Sequence, residues 1–157
     1  MNSVVLVEDP PTTSNQKNLL RGTGNVYRIQ ITNAEYPNRL VTDINALAGS
    51  GNPPIFAVVD LEDDTQVWEY DSFRQTIQNK KSRLYAYPEG KHKGMRIVEG
   101  KLAYAWDVEM EDGGLHSIGI PNTRLRWALA TSDNWCGVTL QERQFDDDTW
   151  KWVFNLV

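Results

Sequence analysis

Ile31-Thr32-Asn33, followed by Arg39-Leu40 and closed by Trp68-Glu69-Tyr70, is the stretch that decides the fold, because the chain writes it three times. Ile77-Gln78-Asn79 leads to Arg83-Leu84 and Trp106-Asp107-Val108, and Ile120-Pro121-Asn122 leads to Arg124-Leu125 and Trp152-Val153-Phe154. The isoleucines lie 46 and 43 residues apart and the tryptophans 38 and 46. Self-similarity at that period marks one supersecondary unit used three times.

Around this repeat, short apolar segments alternate with turn chemistry. Strands are predicted at Val26–Ile31, Ile55–Val59, Arg83–Tyr87, Met95–Val98, Ala103–Val108, Leu125–Ala130, Val138–Gln141 and Trp150–Leu156. No long stretch carries a helical apolar stripe, so the class is all-β. In the repeat, Ile points into the core, Asn takes the left-handed conformation that starts a turn, and Arg-Leu opens the returning strand. Three units of about 40 residues are too few for a propeller. Closed about a pseudo-threefold axis they make a β-trefoil of three four-stranded units, with one core Trp each.

The expected organisation is an N-terminal arm over 1–24 and one domain over 25–157, with units at about 25–70, 71–111 and 112–157. Within the arm, Val4–Val7 is too short for a signal-peptide core or a membrane span, and Pro10-Pro11 begins a connector. The 157 residues are 40% apolar, and six Trp, six Tyr and four Phe supply much of the core. A net charge of -5 argues against a nucleic-acid partner, which favours a basic face. Cys136 is the single cysteine, so no intrachain disulfide forms and a reducing, cytoplasmic location is expected.

With the tryptophans placed, a family resemblance appears. Gln66-Val67-Trp68 matches the Gln-x-Trp signature of ricin-B-type β-trefoils, while Tyr104-Ala105-Trp106 and Trp150-Lys151-Trp152 stand in its place in the other units. The chain is more similar still to small mushroom β-trefoil lectins, in particular those that recognise fucosylated chitobiose N-glycan cores. That similarity runs from Asn25 to the C-terminus. It includes Trp68-Glu-Tyr70-Asp71-Ser72, Tyr104–Trp106, Gly113-Gly114 and Arg124-Leu-Arg-Trp127-Ala-Leu129. The resemblance implies a non-enzymatic carbohydrate-binding protein, a fungal defence lectin for fucose- or N-acetylglucosamine-containing glycans. Its site would draw on Tyr70, Tyr87, Leu102, Ala103, Tyr104 and Trp106, with Ala103 standing where the family pattern has an Asn. Fungal β-trefoil protease inhibitors share the fold, and inhibition through an exposed loop is the alternative.

The residues themselves support the carbohydrate reading through aromatic clustering. A sugar presents hydroxyl edges and a patch of C–H groups, and a partly exposed Tyr or Trp offers a flat apolar face for that patch. Tyr85, Tyr87, Tyr104 and Trp106 all fall in the second unit. On a strand Tyr104 and Trp106 would share one face, so an inward Trp106 would carry Tyr104 with it. The competing reading is that the repeated tryptophans, and each tyrosine singly, serve the core.

For inhibition, the relevant segments are the Ala46–Pro54 loop and the Lys91-His92-Lys93 tip. Asp43 alone fits the first element of a galactose site and otherwise reads as a turn residue. Asp146-Asp147-Asp148 lacks the spacing of a calcium loop. It sits where Glu62-Asp63-Asp64 sits in the first unit, so both read as polar turns. His92 and His116 belong to no metal-spaced cluster, and Cys136 has no adjacent base. No cofactor, metal or catalytic residue is expected. The partners expected are glycans or glycoproteins, with no nucleic acid and no membrane insertion. A homodimer through the arm is the oligomer left open.

Overall fold

Three backbone hydrogen bonds form a closed ring at one end of the molecule. Ile55 N–H donates to Ile97 O at 2.9 Å, Ile97 N–H to Val138 O at 3.0 Å, and Val138 N–H to Ile55 O at 3.0 Å. All three side chains are fully buried. This ring marks the pseudo-threefold axis, because each unit contributes the same position once. The structure, a computed structural model, describes residues 25–44, 53–144 and 146–157.

Thirteen strands run through the described residues. The first unit has β1 (Val26–Asn33), β2 (Leu40–Thr42), β3 (Phe56–Val58) and β4 (Trp68–Asp71). The second has β5 (Thr76–Asn79), β6 (Tyr85–Pro88), β7 (Ile97–Gly100) and β8 (Asp107–Met110). The third has β9 (His116–Gly119), β10 (Leu125–Ala128), β11 (Cys136–Gly137), β12 (Thr139–Glu142) and β13 (Trp152–Leu156).

Strands β4, β1, β13, β9 and β8 pair antiparallel in sequence around a barrel, with β5 on the other side of β4. At the β5–β8 seam the Trp106 N–H donates to Gln75 O at 2.9 Å. The hairpins β2–β3, β6–β7 and β10–β12 cap one end. They are joined by β3–β11 pairing and by the bridges Pro54↔Val98 and Arg96↔Thr139. The architecture is a β-trefoil. It solves the edge-strand problem by wrapping the sheet on itself.

The core is built on the repeat tryptophans. Trp68, Trp106 and Trp152 are each fully buried, and each indole N–H is satisfied in the same way. Trp68 donates to Val41 O at 2.9 Å, Trp106 to Ala86 O at 3.1 Å and Trp152 to Trp127 O at 2.9 Å. A buried indole needs such a partner, so the repeat specifies both the apolar filling and its polar tether.

The third repeat is displaced from the reading above. Thr32 pairs with Leu40, Gln78 with Tyr85 and Gly119 with Arg126. The structural counterpart of Ile31-Thr-Asn33 and Ile77-Gln-Asn79 is therefore Ile118-Gly119-Ile120, two residues before Ile120-Pro-Asn122. Of the three asparagines only Asn122 takes the expected left-handed conformation, at φ 63°, and the other two work differently. Asn33 and Asn79 are fully buried, and neither is among the left-handed residues. Asn33 Nδ2 donates to Thr149 O, and Asn79 Nδ2 to Thr65 O. Each Oδ1 accepts two backbone N–H groups of the following turn. At the third position Ile120 forgoes these bonds, and Pro121 has no N–H to donate where Ala34 bonds Lys151 O and Lys80 bonds Val67 O.

The polar-turn reading of the acidic runs agrees with the structure. Asp63 accepts from the backbone and hydroxyl of Thr65, and Asp147 accepts from the same groups of Thr149. Gly113 and Gly114 take successive left-handed conformations (φ 74° and 81°) where the second unit passes to the third. Side chains with a β-carbon strongly disfavour that pair. The 1–24 arm and positions 46–52 of the Ala46–Pro54 loop lie outside the described residues. No described helix is long and apolar enough to cross a membrane.

Candidate functional site

One connection is shorter than its two counterparts, and this exposes an aromatic ring. Register places Val58, Gly100 and Gln141 at equivalent positions, and the repeat places Gln66, Tyr104 and Trp150 likewise. The intervening segments are 59–65, 101–103 and 142–149, that is seven, three and eight residues.

In the first unit the longer segment folds over Gln66. Its Nε2 donates to Val59 O at 2.8 Å and to Thr42 Oγ1 at 3.0 Å, while its Oε1 accepts from Leu61 N–H at 2.8 Å. In the third unit Trp150 Nε1 donates to Gln144 O at 2.6 Å, and the ring is buried. In the second unit three residues cannot make such a cover. Tyr104 is left half-buried, with exposed Leu102 and Ala103 beside it in sequence.

This also corrects the predicted strand over Ala103–Val108. Pairing begins only at Asp107, so Tyr104 and Trp106 do not obey strand alternation. Trp106 is 0% exposed and belongs to the core, yet Tyr104 reaches the surface. Their rings meet edge-on at 4.7 Å between centroids. Tyr87, half-buried on β6, meets Tyr104 edge-on at 5.5 Å. Ala86 between Tyr85 and Tyr87 points inward, so both tyrosines face outward from β6. Burial, and then the neighbouring Tyr87, raise the Tyr104 phenol above its usual range, so the hydroxyl stays protonated and can donate.

Lys91 completes the cluster, its Nζ lying 5.8 Å from the Tyr104 ring centroid. The loop carrying it is braced. Arg96 grips Glu89 with both arms at 2.9 and 2.6 Å. Gly94 N–H donates to Leu140 O at 2.7 Å, which ties the tip to the third unit. Lys91 was legible in sequence only as a charged loop tip, because nothing local places it over Tyr104.

Of the six residues implied by resemblance, the structure gathers Tyr87, Leu102, Ala103 and Tyr104 at this surface. Trp106 supports it from beneath, and its sealed faces offer no stacking surface. Tyr70 does not join them. It is 2% exposed on β4 and packs edge-on against Phe154 at 5.6 Å. Burial, with Tyr27 and Asp71 nearby, pushes its phenol up to about 12. A ring so enclosed cannot stack on a sugar, and Tyr70 is a core residue.

Asp43 is likewise buried. Beside it Glu99 is fully enclosed, and burial first, then the hydrogen bond and charge of Asp43, push its carboxyl up to about 10. Thr65 and Thr149 occupy the place of Ala103 in the other units, bonded to their turn aspartates. Among the described residues no group of His, Cys, Asp and Glu is arranged to hold a metal.

No family model and no curated protein sequence matches the chain. Solved structures do match. The Rhizoctonia solani agglutinin superposes with a TM-score of 0.73 at 18% identity, over 85% of this chain and 96% of its own. The Macrolepiota procera ricin B-like lectin, solved in complex with lactose, gives 0.70 at 19% identity, over 84% and 95%. ThreeFoil, a designed threefold-symmetric protein, gives 0.71 at only 10% identity, over 82% and 97%. A designed threefold protein superposing this well supports the symmetry read from the Ile55–Ile97–Val138 ring. These likenesses establish the β-trefoil fold over nearly the whole of the matched chains.

Proposed function

We propose that this protein is a non-enzymatic lectin whose saccharide lies on the Tyr104–Tyr87 surface of the second unit. The observation that carries the proposal is the three-residue 101–103 connection, which uncovers Tyr104 where the equivalent Gln66 and Trp150 are roofed. An open phenol ring supplies the flat apolar face for sugar C–H groups, while the Tyr hydroxyls and Lys91 serve hydroxyl oxygens. The fungal lectins that share the fold, one of them solved with lactose, support the class of ligand.

Fucose- or N-acetylglucosamine-containing glycans are the ligands proposed, on the resemblance of the second unit, with a cytoplasmic fungal defence role. The replacement of the family's Asn by Ala103 removes a side-chain amide and shifts hydroxyl recognition toward backbone groups and Lys91. A glycan array probed with purified, folded protein tests the reading. Binding concentrated on fucosylated or chitobiose-bearing glycans is the expected result. An array with no signal above background, or stoichiometric inhibition of trypsin, subtilisin or papain in its place, would remove it.

A further inference from the structure

Trp135 stands apart from the chain's other tryptophans. Trp68, Trp106, Trp127, Trp150 and Trp152 are buried, whereas Trp135 is 44% exposed. Its backbone is left-handed, at φ 68°. That conformation favours Gly or Asn and is uncommon for a bulky aromatic, so an outward Trp there is a feature to explain.

The conformation is held from several directions. Trp135 N–H donates to Ala57 O at 3.0 Å, Asn134 Oδ1 accepts from Val59 N–H at 2.9 Å, and Arg39 Nε donates to Ser132 O at 2.8 Å. The half-buried Phe56 ring meets Trp135 edge-on at 6.1 Å. The result is an ordered aromatic corner where β3 meets β11. Exposed Asp133 and Asp60 adjoin Asn134 and Val59 in sequence.

We propose that this corner is a second saccharide-binding site, taking the C–H face of a neutral pyranose on Trp135 against the edge of Phe56. It deepens the lectin reading above, on which it rests, by making the protein bivalent within one chain. Rigid aromatics bind with little loss of side-chain freedom, and carboxylates accept sugar hydroxyls well. Asp133 and Asp60, exposed next to this corner in sequence, offer carboxylate acceptors for sugar hydroxyls, and Arg39, which donates to Ser132 O, offers a donor. Two sites of modest affinity on one rigid domain cross-link multivalent glycans far better than either alone.

The test uses the full chain and its ¹H–¹⁵N spectrum. The Trp135 indole resonance, identified by its loss in Trp135→Asn, should shift on titration with methyl α-L-fucoside, N,N′-diacetylchitobiose or lactose. It should shift equally in Tyr104→Ala. Agglutination of glycan-coated beads should fall at least tenfold in Trp135→Asn. Thermal unfolding of that variant should stay unchanged or rise, since Asn tolerates the left-handed backbone.

An indole resonance unmoved by all three neutral sugars, with Tyr104-dependent array binding intact, would overturn the second site and leave the first. A shifting Trp135 with binding indifferent to Tyr104 would do the reverse. A resonance that follows protein concentration instead of sugar would make this a self-association surface. A marked loss of stability in Trp135→Asn would make Trp135 structural. Either result would overturn the proposal.

Discussion

Tyr104 and Trp106 touch edge-on at 4.7 Å, yet one ring is half open to solvent and the other is sealed. Two aromatics two residues apart thus divide surface and core between them. Replacing each should have opposite consequences. Trp106→Ala empties a core position and removes the tether to Ala86 O, so it should cost about 3–5 kcal/mol of stability. Tyr104→Ala should cost about 1 kcal/mol, as expected for a half-buried ring. It should weaken glycan binding at least tenfold, about 1.4 kcal/mol. Denaturant unfolding and array binding of both variants read this out; equal destabilisation would place Tyr104 in the core.

Gly119 lies under Arg126. A β-carbon there would fall on the guanidinium Nη1 and on the Leu125 carbonyl oxygen. Arg126 is almost fully buried, bonded to Asp107 O and Oδ2 at 3.1 Å and paired with Glu109 at 3.4 Å. Gly119→Ala should displace the guanidinium from this nest and cost roughly 1–3 kcal/mol, the range for overpacking a filled site. An unfolding midpoint unchanged from wild type would show that the arginine moves aside freely.

Glu99 predicts a pH dependence of stability. Its ordinary value is 4.5 and its folded value about 10, so folding favours the protonated acid. The stability it contributes is therefore fully present below about pH 4.5 and is lost as pH rises towards 10. Glu99→Gln keeps the neutral shape without the titration. At pH 8 it should be more stable than wild type by roughly 1–3 kcal/mol, the scale of a poorly satisfied buried polar group. The gain should vanish near pH 4.5. A pH-independent difference between the two proteins would assign the effect to packing.

The displaced third repeat distinguishes asparagines that look alike in sequence. Asn79→Ala removes three hydrogen bonds made by a buried side chain and should cost roughly 2–4 kcal/mol. Asn122 is exposed and left-handed at φ 63°, so Asn122→Ala should cost at most about 1 kcal/mol. Thermal melts of the two variants side by side would decide. Comparable losses would restore Asn122 to the repeat.

The architecture was legible in the chain because the units repeat what their cores require. Each needs one large indole with a tether, so Trp68, Trp106 and Trp152 recur at readable spacing. The aromatic richness of the second unit was equally plain. Composition could not say which ring is inside, since Tyr70 and Tyr104 differ only in what covers them. That depended on pairing between segments far apart in sequence. Register showed that 101–103 is too short to roof Tyr104, that Ile118 replaces Ile120 in the repeat, and that Lys91 lies over an aromatic face. Local chemistry determined the unit. Which side chains the assembled units enclose depended on loop length measured against the barrel, and only the tertiary structure decided that.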